Sequence, residues 1–191
     1  MTTPHLIAPA CIAGDSEAPY RHAELAVWDE WLRSLAEYPS IWRSYEEGAA
    51  VLGEKVDDLW DEVRANHIGR ARAEAAQVGA MAVRFIADLC EPSGAARDRG
   101  RAAIADAHAV RFVVRPHGRA LASRYEGFGF LRREYDALWS AVRFDDPVRE
   151  LAARVAWMSV RFIAEMTSAT VPLLSPVRMG VVSGRQGTRH E

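Results

Sequence analysis

The sequence predicts an all-α protein, and three observations lead to that prediction. Helix-forming residues dominate the middle of the chain, with apolar side chains at steps of three and four and no sustained alternation with period two. The best strand candidate, residues 110–114, has no second strand to pair with. One helix–loop–helix segment also occurs twice in the same order. Two helical hairpins that cover each other's apolar faces predict a four-helix bundle with additional flanking helices.

Composition excludes several classes of protein. With 191 residues and 49% hydrophobic residues, the chain can bury one core or two small ones, which excludes a disordered protein. The 24 basic and 26 acidic residues leave a formal charge of −2, which argues against a nucleic-acid partner. Two cysteines make no disulfide framework, and no apolar run is long enough to cross a bilayer. We therefore expect a cytoplasmic protein with no membrane partner.

The duplication is visible as an ungapped alignment. Residues 47–64 align on residues 126–143, with the shared signature EG…L…D.LW..VR, and residues 78–88 then align on residues 155–165. The loop between the aligned segments is two residues shorter in the second copy. Each copy is therefore predicted to be one helical hairpin, the first with helices at about 47–64 and 71–90, the second with helices at about 126–143 and 149–166.

Prolines and changes in apolar pattern divide the rest of the chain. We expect one further helix at residues 28–35, before the first hairpin, and a counterpart at residues 115–122 before the second. The predicted order is a flexible lead-in at 1–20, a first repeat at 21–91, a connector at 92–108, a second repeat at 109–166 and a tail at 167–191.

Acidic residues cluster on the first predicted hairpin helix. Glu54, Asp58 and Asp61 stand at i, i+4 and i+7 and share one face, with Asp57 and Glu62 at its margins. The simplest interpretation is a solvated acidic face, because these residues lie opposite the apolar stripe. The alternative interpretation is a functional site, and it depends on what the second helix places beside them.

Glu74 on the second helix favours a functional site. It shares a stripe with the apolar residues at 78, 81 and 85, and a carboxylate on a packing stripe needs a partner. At a rise of about 1.5 Å per residue, the axial distance from the turn is about 9 Å for Asp58 and about 15 Å for Glu54 on the first helix. On the second helix it is about 6 Å for Glu74 and about 10 Å for Gln77, so Asp58 is level with these two residues. Converging carboxylates repel unless a cation joins them, and oxygen ligands suit Mg²⁺ or Mn²⁺. Alternatively, Glu74 is a first-turn acid that the helix dipole stabilises.

The sequence around these residues resembles that of the MazG-like all-α nucleoside triphosphate pyrophosphohydrolases. The resemblance is carried by residues 47–63 and 74–85, and more faintly by the second repeat. It implies a MazG-like bundle in which EExxE on one helix and ExxD on the next hold Mg²⁺ against a nucleotide, and water cleaves between the α- and β-phosphates. By position Glu54 and Asp58 take the first and last places of EExxE, and Glu74 takes the first place of ExxD.

The resemblance also implies roles for neighbouring residues. Lys55 stands in place of the second Glu and Gln77 in place of the Asp, so both are candidates to contact the substrate rather than the metal. Arg84 suggests a buried ion pair, with phosphate contact as the other option. Asp61 or Asp57 is the candidate general base.

The second repeat lacks a complete motif. At the places of Glu54, Asp58, Glu74 and Gln77 it carries Arg133, Ala137, Leu151 and Arg154. It keeps the apolar positions, so we expect it to replace the partner subunit that MazG-like proteins recruit, and to lend an arginine at most. Two functions are open: a Mg²⁺-dependent pyrophosphohydrolase, or a degenerate nucleotide-binding or helical interaction module. A homodimer of such pseudo-dimeric chains is also open.

Overall fold

The computed structural model describes residues 17–90, 93–112, 120–144 and 146–166, and in these ranges every regular element is helical. The six α-helices are α1 (Ala18–Glu37), α2 (Tyr45–Arg64), α3 (Ile68–Phe85), α4 (Ala96–Ala109), α5 (Arg124–Phe144) and α6 (Arg149–Glu165). A π-helical turn, Ile86–Cys90, extends α3, and a 3₁₀ turn, Val110–Phe112, follows α4. None of the described helices is both long enough and apolar enough to span a bilayer.

Helices α3 and α6 form the centre of the molecule. They pack against each other, α2 covers α3, α5 covers α6, and α2 and α5 also touch. Helix α1 crosses both central helices, while α4 packs on α6 and the π-helical turn. Small residues permit this close packing: a side chain at Gly79 of α3 would meet Val27 of α1 at 2.7 Å and Ser159 of α6 at 3.1 Å.

The turn between α2 and α3 is short, as the sequence predicts. Asn66 adopts the left-handed conformation with φ 62°, and the His67 N–H donates to the Glu62 carbonyl at 3.0 Å. The Asn66 N–H donates to the Val63 carbonyl at 3.2 Å. This is a Schellman ending, in which two otherwise unpaired carbonyls of the last turn are satisfied. It reverses the chain within three residues and makes α2 and α3 antiparallel.

The beginnings of α2 and α5 are capped in the same way. The Ser44 hydroxyl accepts from the Glu47 N–H at 3.2 Å, and the Ser123 hydroxyl accepts from the Glu126 N–H at 3.2 Å. Each glutamate also accepts from the backbone N–H four residues earlier, at 2.8 Å and 2.6 Å respectively. These two capping boxes explain why both aligned segments begin at the glutamate–glycine pair.

The arginines that interrupt the apolar runs of α3 and α6 form buried ion pairs, as predicted. Arg84 Nε lies 3.2 Å from Asp88 Oδ2, and Arg161 Nε lies 2.9 Å from Glu165 Oε1. In each pair the arginine precedes its acid by four residues, and all four side chains are less than a tenth exposed. Burial of a charge requires such a partner because the interior solvates ions poorly.

Several sequence predictions need correction. The flanking helix after the first hairpin lies at Ala96–Ala109, inside the predicted connector, whereas residues 120–122 are not helical and 115–119 lie outside the described residues. The segment at 110–114, which has no second strand to pair with, begins as a 3₁₀ turn, in agreement with the all-α prediction. Helix α1 already begins at Ala18, inside the predicted lead-in, and it includes the predicted helix at 28–35. Residues 1–16 of the lead-in and all of the tail at 167–191 lie outside the described residues.

Candidate functional site

A cavity of about 590 Å³ opens between α1 and α2, with α3 as its floor. It exists because α1 and α2 both rest on α3 but hardly touch each other. Its volume falls within the range of about 300–1,000 Å³ that is usual for small-molecule sites. The lining residues are Glu30, Ser34 and Glu37 of α1, Tyr38, Ser40 and Trp42 of the following loop, Glu47, Val51, Glu54 and Lys55 of α2, and Gln77, Met81 and Arg84 of α3.

Lys55 is at the centre of the predicted site. Its ammonium lies 3.0 Å from Asp58 Oδ2, and its side chain is 32% exposed against 53% for Asp58. The hydrogen bond to Asp58, supported by the negative charges of Glu74 and Glu54, raises the pKa of Lys55 above its usual value despite partial burial. Lys55 is therefore a fixed positive charge among three predicted metal ligands.

Glu74 completes the cluster from the α3 side. Burial is the main cause that raises the pKa of the Glu74 carboxyl, and the charges of Asp58 and Glu62 raise it further. The positive charge of Lys55 and a hydrogen bond from Gln77 act in the opposite direction. The structure thus brings Glu74 and Asp58 close enough to repel each other, as the estimate from helical rise predicts.

The two candidate general bases lie elsewhere. Asp57 Oδ1 is 3.2 Å from Arg132 of α5, so this carboxylate is directed at the second hairpin. Asp61 Oδ1 is 2.7 Å from Arg64 on its own helix, and its side chain is 68% exposed. Neither residue lines the cavity, and of the three predicted metal ligands Glu54 alone lines it, whereas Asp58 and Glu74 lie outside the lining. The acidic face of α2 therefore divides into a part at the site and a part that pairs with neighbouring arginines.

Arg84 lines the cavity floor, but its donors are occupied. Besides Asp88, its Nη2 donates at 2.6 Å to the carbonyls of both Tyr38 and Ser40, and its guanidinium lies 5.1 Å from the Trp42 ring centroid. The side chain is 3% exposed. Arg84 thus fixes the loop between α1 and α2 and the shape of the cavity, which is the ion-pair option that the sequence left open.

The second hairpin carries a cluster with reversed charge at the aligned positions. Glu134, which aligns with Lys55, has a side chain only 11% exposed, and it lies 3.8 Å from Arg133 and 3.9 Å from Arg154. Arg154 also contacts Glu150 at 2.6 Å. At this aligned position the second hairpin therefore has an acid, Glu134, between two arginines, whereas the first hairpin has a base, Lys55, beside acidic residues. Neither arginine lines the cavity, so neither contacts a ligand bound there.

The donor chemistry of the first cluster suits a hard divalent cation. Three carboxylates and the Gln77 amide offer only oxygen ligands, which Mg²⁺ and Mn²⁺ prefer. Among the described residues, however, no three His, Cys, Asp or Glu side chains lie close enough to one another to bind a metal ion as they stand. A metal would therefore have to displace the Lys55 ammonium from Asp58 before the carboxylates could close around it.

Sequence reasoning missed the α1 wall of the cavity. Glu30, Ser34 and Glu37 stand at i, i+4 and i+7, so a shared face could have been recognised from the sequence. The spacing does not reveal that this face borders a cavity on α3.

Comparison with known protein families, with curated proteins and with solved structures gives no match for this chain. A function is therefore inferred from the residues of the cavity and their contacts.

Proposed function

We propose that the chain is a Mg²⁺-dependent nucleotide pyrophosphohydrolase with one site, in the first hairpin. The observation that carries the proposal is a cavity large enough for a nucleotide that Glu54 and Lys55 line, with Asp58 bonded to Lys55 and the charge of Glu74 acting on it. The resemblance to MazG-like enzymes supplies the reaction: water adds across the α–β phosphoanhydride, one P–O bond forms as another breaks, and nucleoside monophosphate and pyrophosphate leave.

Each residue of the cluster has a role that its environment supports. Glu54, Asp58 and Glu74 would hold the cation, which when bound neutralises phosphate charge and polarises the reacting phosphorus. Lys55, released from Asp58, would contact a phosphate oxygen as a point charge. Gln77 would orient Glu74 through its amide. No general base is assigned, because Asp57, Asp61 and Glu62 each pair with a basic side chain and none of them lines the cavity.

We also propose that the chain arose by tandem duplication of a MazG-like hairpin, and that the second hairpin replaces a partner subunit. The matching capping boxes and the matching buried ion pairs of the two halves support this origin. The reversed cluster at Glu134 supports a purely structural role for the second half. Association of two such chains into a homodimer remains a prediction, which light scattering tests.

One observation favours a second candidate function. The Lys55–Asp58 ion pair already neutralises part of the negative charge of the carboxylates, which reduces their mutual repulsion in the absence of a metal ion. A protein that binds a nucleotide without cleaving it would keep this arrangement. The two functions differ in turnover and not in binding, so they are separable by assay.

The experiment measures pyrophosphate release from a panel of nucleoside and deoxynucleoside triphosphates with Mg²⁺ or Mn²⁺. We expect turnover by the parent, and a loss of about 100-fold or more in Glu74→Gln and Asp58→Asn, since each keeps its size but loses the charge that holds the cation. Asp61→Asn is the matched control, because Asp61 is 68% exposed and its carboxylate pairs with Arg64 on the surface of α2. Normal turnover in Glu74→Gln would contradict the proposal.

A double variant separates the two functions. Lys55→Glu with Gln77→Asp brings the chain to E-E-x-x-D and E-x-x-D, with an acid at every place of the family's two motifs. If the parent binds nucleotides but turns over none, and the double variant gains activity, the natural protein is a binding module. If the parent is active and the double variant changes only the rate or the metal preference, Lys55 and Gln77 belong to a working site.

A further inference from the structure

The α1 wall of the cavity has no role in the chemistry assigned to α2 and α3. Glu30, Ser34 and Glu37 form this wall, opposite Glu54 and Lys55. A nucleotide whose phosphates lie against the Lys55 cluster has to place its base and sugar in the remaining volume, and α1 bounds that volume. The chemistry of the α1 wall therefore bears on which base fits.

The α1 wall presents hydrogen-bond acceptors. The side chain of Glu30 is only 14% exposed, and its carboxylate forms an ion pair with Arg33, whose side chain is 70% exposed. Glu37 accepts a hydrogen bond from the Tyr38 hydroxyl, and this bond and the negative charge of Glu37 raise the pKa of Tyr38. The Ser34 hydroxyl donates at 2.8 Å to the Trp31 carbonyl of its own helix, so it can only accept from the cavity.

Apolar groups are placed to contact the faces of a ring. Val51 of α2 and Met81 of α3 line the same cavity as the carboxylates, and Trp42 closes the end beside the α1–α2 loop. Thioether and aromatic groups make favourable contacts with flat rings. The cavity therefore combines apolar surface for a planar group with acceptors that can bond its edge.

We propose that the α1 wall recognises the base, and that it selects nucleotides whose base carries an exocyclic amino group. The inference depends on the proposed nucleotide function and names its substrate class. An amino group at the base edge donates to a carboxylate. A carbonyl at the same position, as in uracil or thymine, places an acceptor against an acceptor and leaves the carboxylate without its bond.

CTP and UTP are the matched ligands for the test, because at the pyrimidine C4 position they differ by an amino group against a carbonyl. We expect the parent, as the full chain with Mg²⁺, to bind CTP at least about tenfold more tightly than UTP, since hydrogen bonds to charged groups are worth about 1.5–3 kcal/mol. Titration calorimetry measures both dissociation constants. The ratio of the two constants is the readout, because a change in net charge alters both equally.

Two variants assign the selectivity to the α1 wall. Glu30→Gln and Glu37→Gln keep side-chain size but add an amide that can donate to a carbonyl, so we expect the ratio to approach one in at least one of them. Glu37 is exposed, so its variant folds even if the half-buried Glu30 does not tolerate change. Asp29→Asn is the matched control on α1, since Asp29 is exposed and does not line the cavity, and it should keep the parental ratio.

The outcomes separate this inference from the function on which it depends. Equal binding of CTP and UTP by the parent, or an unchanged ratio in both glutamine variants, would overturn base recognition by α1 and leave the hydrolase intact. If no nucleotide binds at all, both the inference and the proposed function are wrong.

Discussion

The ammonium of Lys55 lies 3.0 Å from Asp58 Oδ2, one turn along the same helix. The pKa of Lys55 is raised by this bond and by the charges of Glu74 and Glu54. The lysine therefore serves as an internal counter-ion for the cluster. A divalent cation bound as proposed would compete with Lys55 for the Asp58 carboxylate, and this competition leads to the first prediction.

We predict that Lys55→Met makes the fold more dependent on Mg²⁺. Without the ammonium, Asp58 and Glu74 repel each other more strongly, so the metal-free variant should be about 0.5–1 kcal/mol less stable than the parent near pH 7. Added Mg²⁺ binds the folded form and should raise the melting temperature of the variant more than that of the parent. Thermal unfolding with and without Mg²⁺ measures both effects.

The matched control is Arg64→Met, which removes the i,i+3 partner of the exposed Asp61. This variant should respond to Mg²⁺ as the parent does. Equal Mg²⁺ responses of Lys55→Met and the parent would contradict the competition between Lys55 and the cation, and no response in either would contradict the metal site itself.

We predict that Glu74→Gln stabilises the metal-free protein at neutral pH while abolishing turnover. Because the pKa of folded Glu74 is above the unfolded value, its contribution to stability is fully present below the unfolded pKa and is lost as pH rises through the folded pKa. The glutamine avoids that loss. The gain should be below about 1 kcal/mol, since solvent screens a partly exposed group, and it should disappear below about pH 4.

Glu46→Gln is the control with the opposite sign. A backbone hydrogen bond at the start of α2 lowers the pKa of Glu46, so its contribution is present above the unfolded pKa and is lost as pH falls through the folded one. Urea unfolding in a chelating buffer at several pH values compares the variants. A Glu74→Gln variant that is less stable than the parent at pH 7 would contradict the assigned environment.

We predict a large loss of stability in Arg84→Met. The variant leaves Asp88 buried without its closest cation and removes two 2.6 Å hydrogen bonds to loop carbonyls, which should cost about 3–5 kcal/mol. Arg101→Met is the control, because Arg101 and Asp98 are both about 70% exposed and should contribute less than about 1 kcal/mol. Chemical denaturation measures both. A loss below about 1 kcal/mol in Arg84→Met would contradict the buried network.

The two hairpins and their ion pairs are predictable from sequence, whereas the flanking elements are not. Helices α2, α3, α5 and α6 carry continuous apolar stripes, so their period is visible in the sequence. The buried residues of helix α4 are Gly100, Ala103 and Ala107, whose small side chains give a weak apolar pattern, so the sequence predicts a connector there.

The candidate site was predictable only along one hairpin. Helical rise places Asp58 and Glu74 at one level because both belong to helices joined by a short turn. Which neighbour each acid meets across the bundle depends on tertiary packing. Asp57 contacts Arg132 of α5, and Glu30 of α1 lines the cavity. No local sequence pattern specifies either arrangement.

We predict opposite effects of alanine at two helical glycines. A methyl group at Gly53 would overlap the Tyr135 hydroxyl, which donates to the Ala49 carbonyl at 3.2 Å between α5 and α2. Gly53→Ala should therefore cost about 1–3 kcal/mol. No atom lies within 4 Å of the corresponding position at Gly129, so Gly129→Ala should gain about 0.5–1 kcal/mol from helix propensity alone.

Thermal unfolding compares the two alanine variants, and Tyr135→Phe in the Gly53→Ala background should recover part of the loss. Equal effects at the two glycines would mean that α2 and α5 do not approach as closely as described.

The central claim is that the first hairpin hydrolyses a nucleoside triphosphate between its α- and β-phosphates. Phosphorus NMR of the products formed by the parent with Mg²⁺ tests this most directly, with Glu74→Gln as the inactive reference. The account predicts nucleoside monophosphate and pyrophosphate in equal amounts, absent from the reference. Nucleoside diphosphate with inorganic phosphate, or no product from any triphosphate with Mg²⁺ or Mn²⁺, would contradict it.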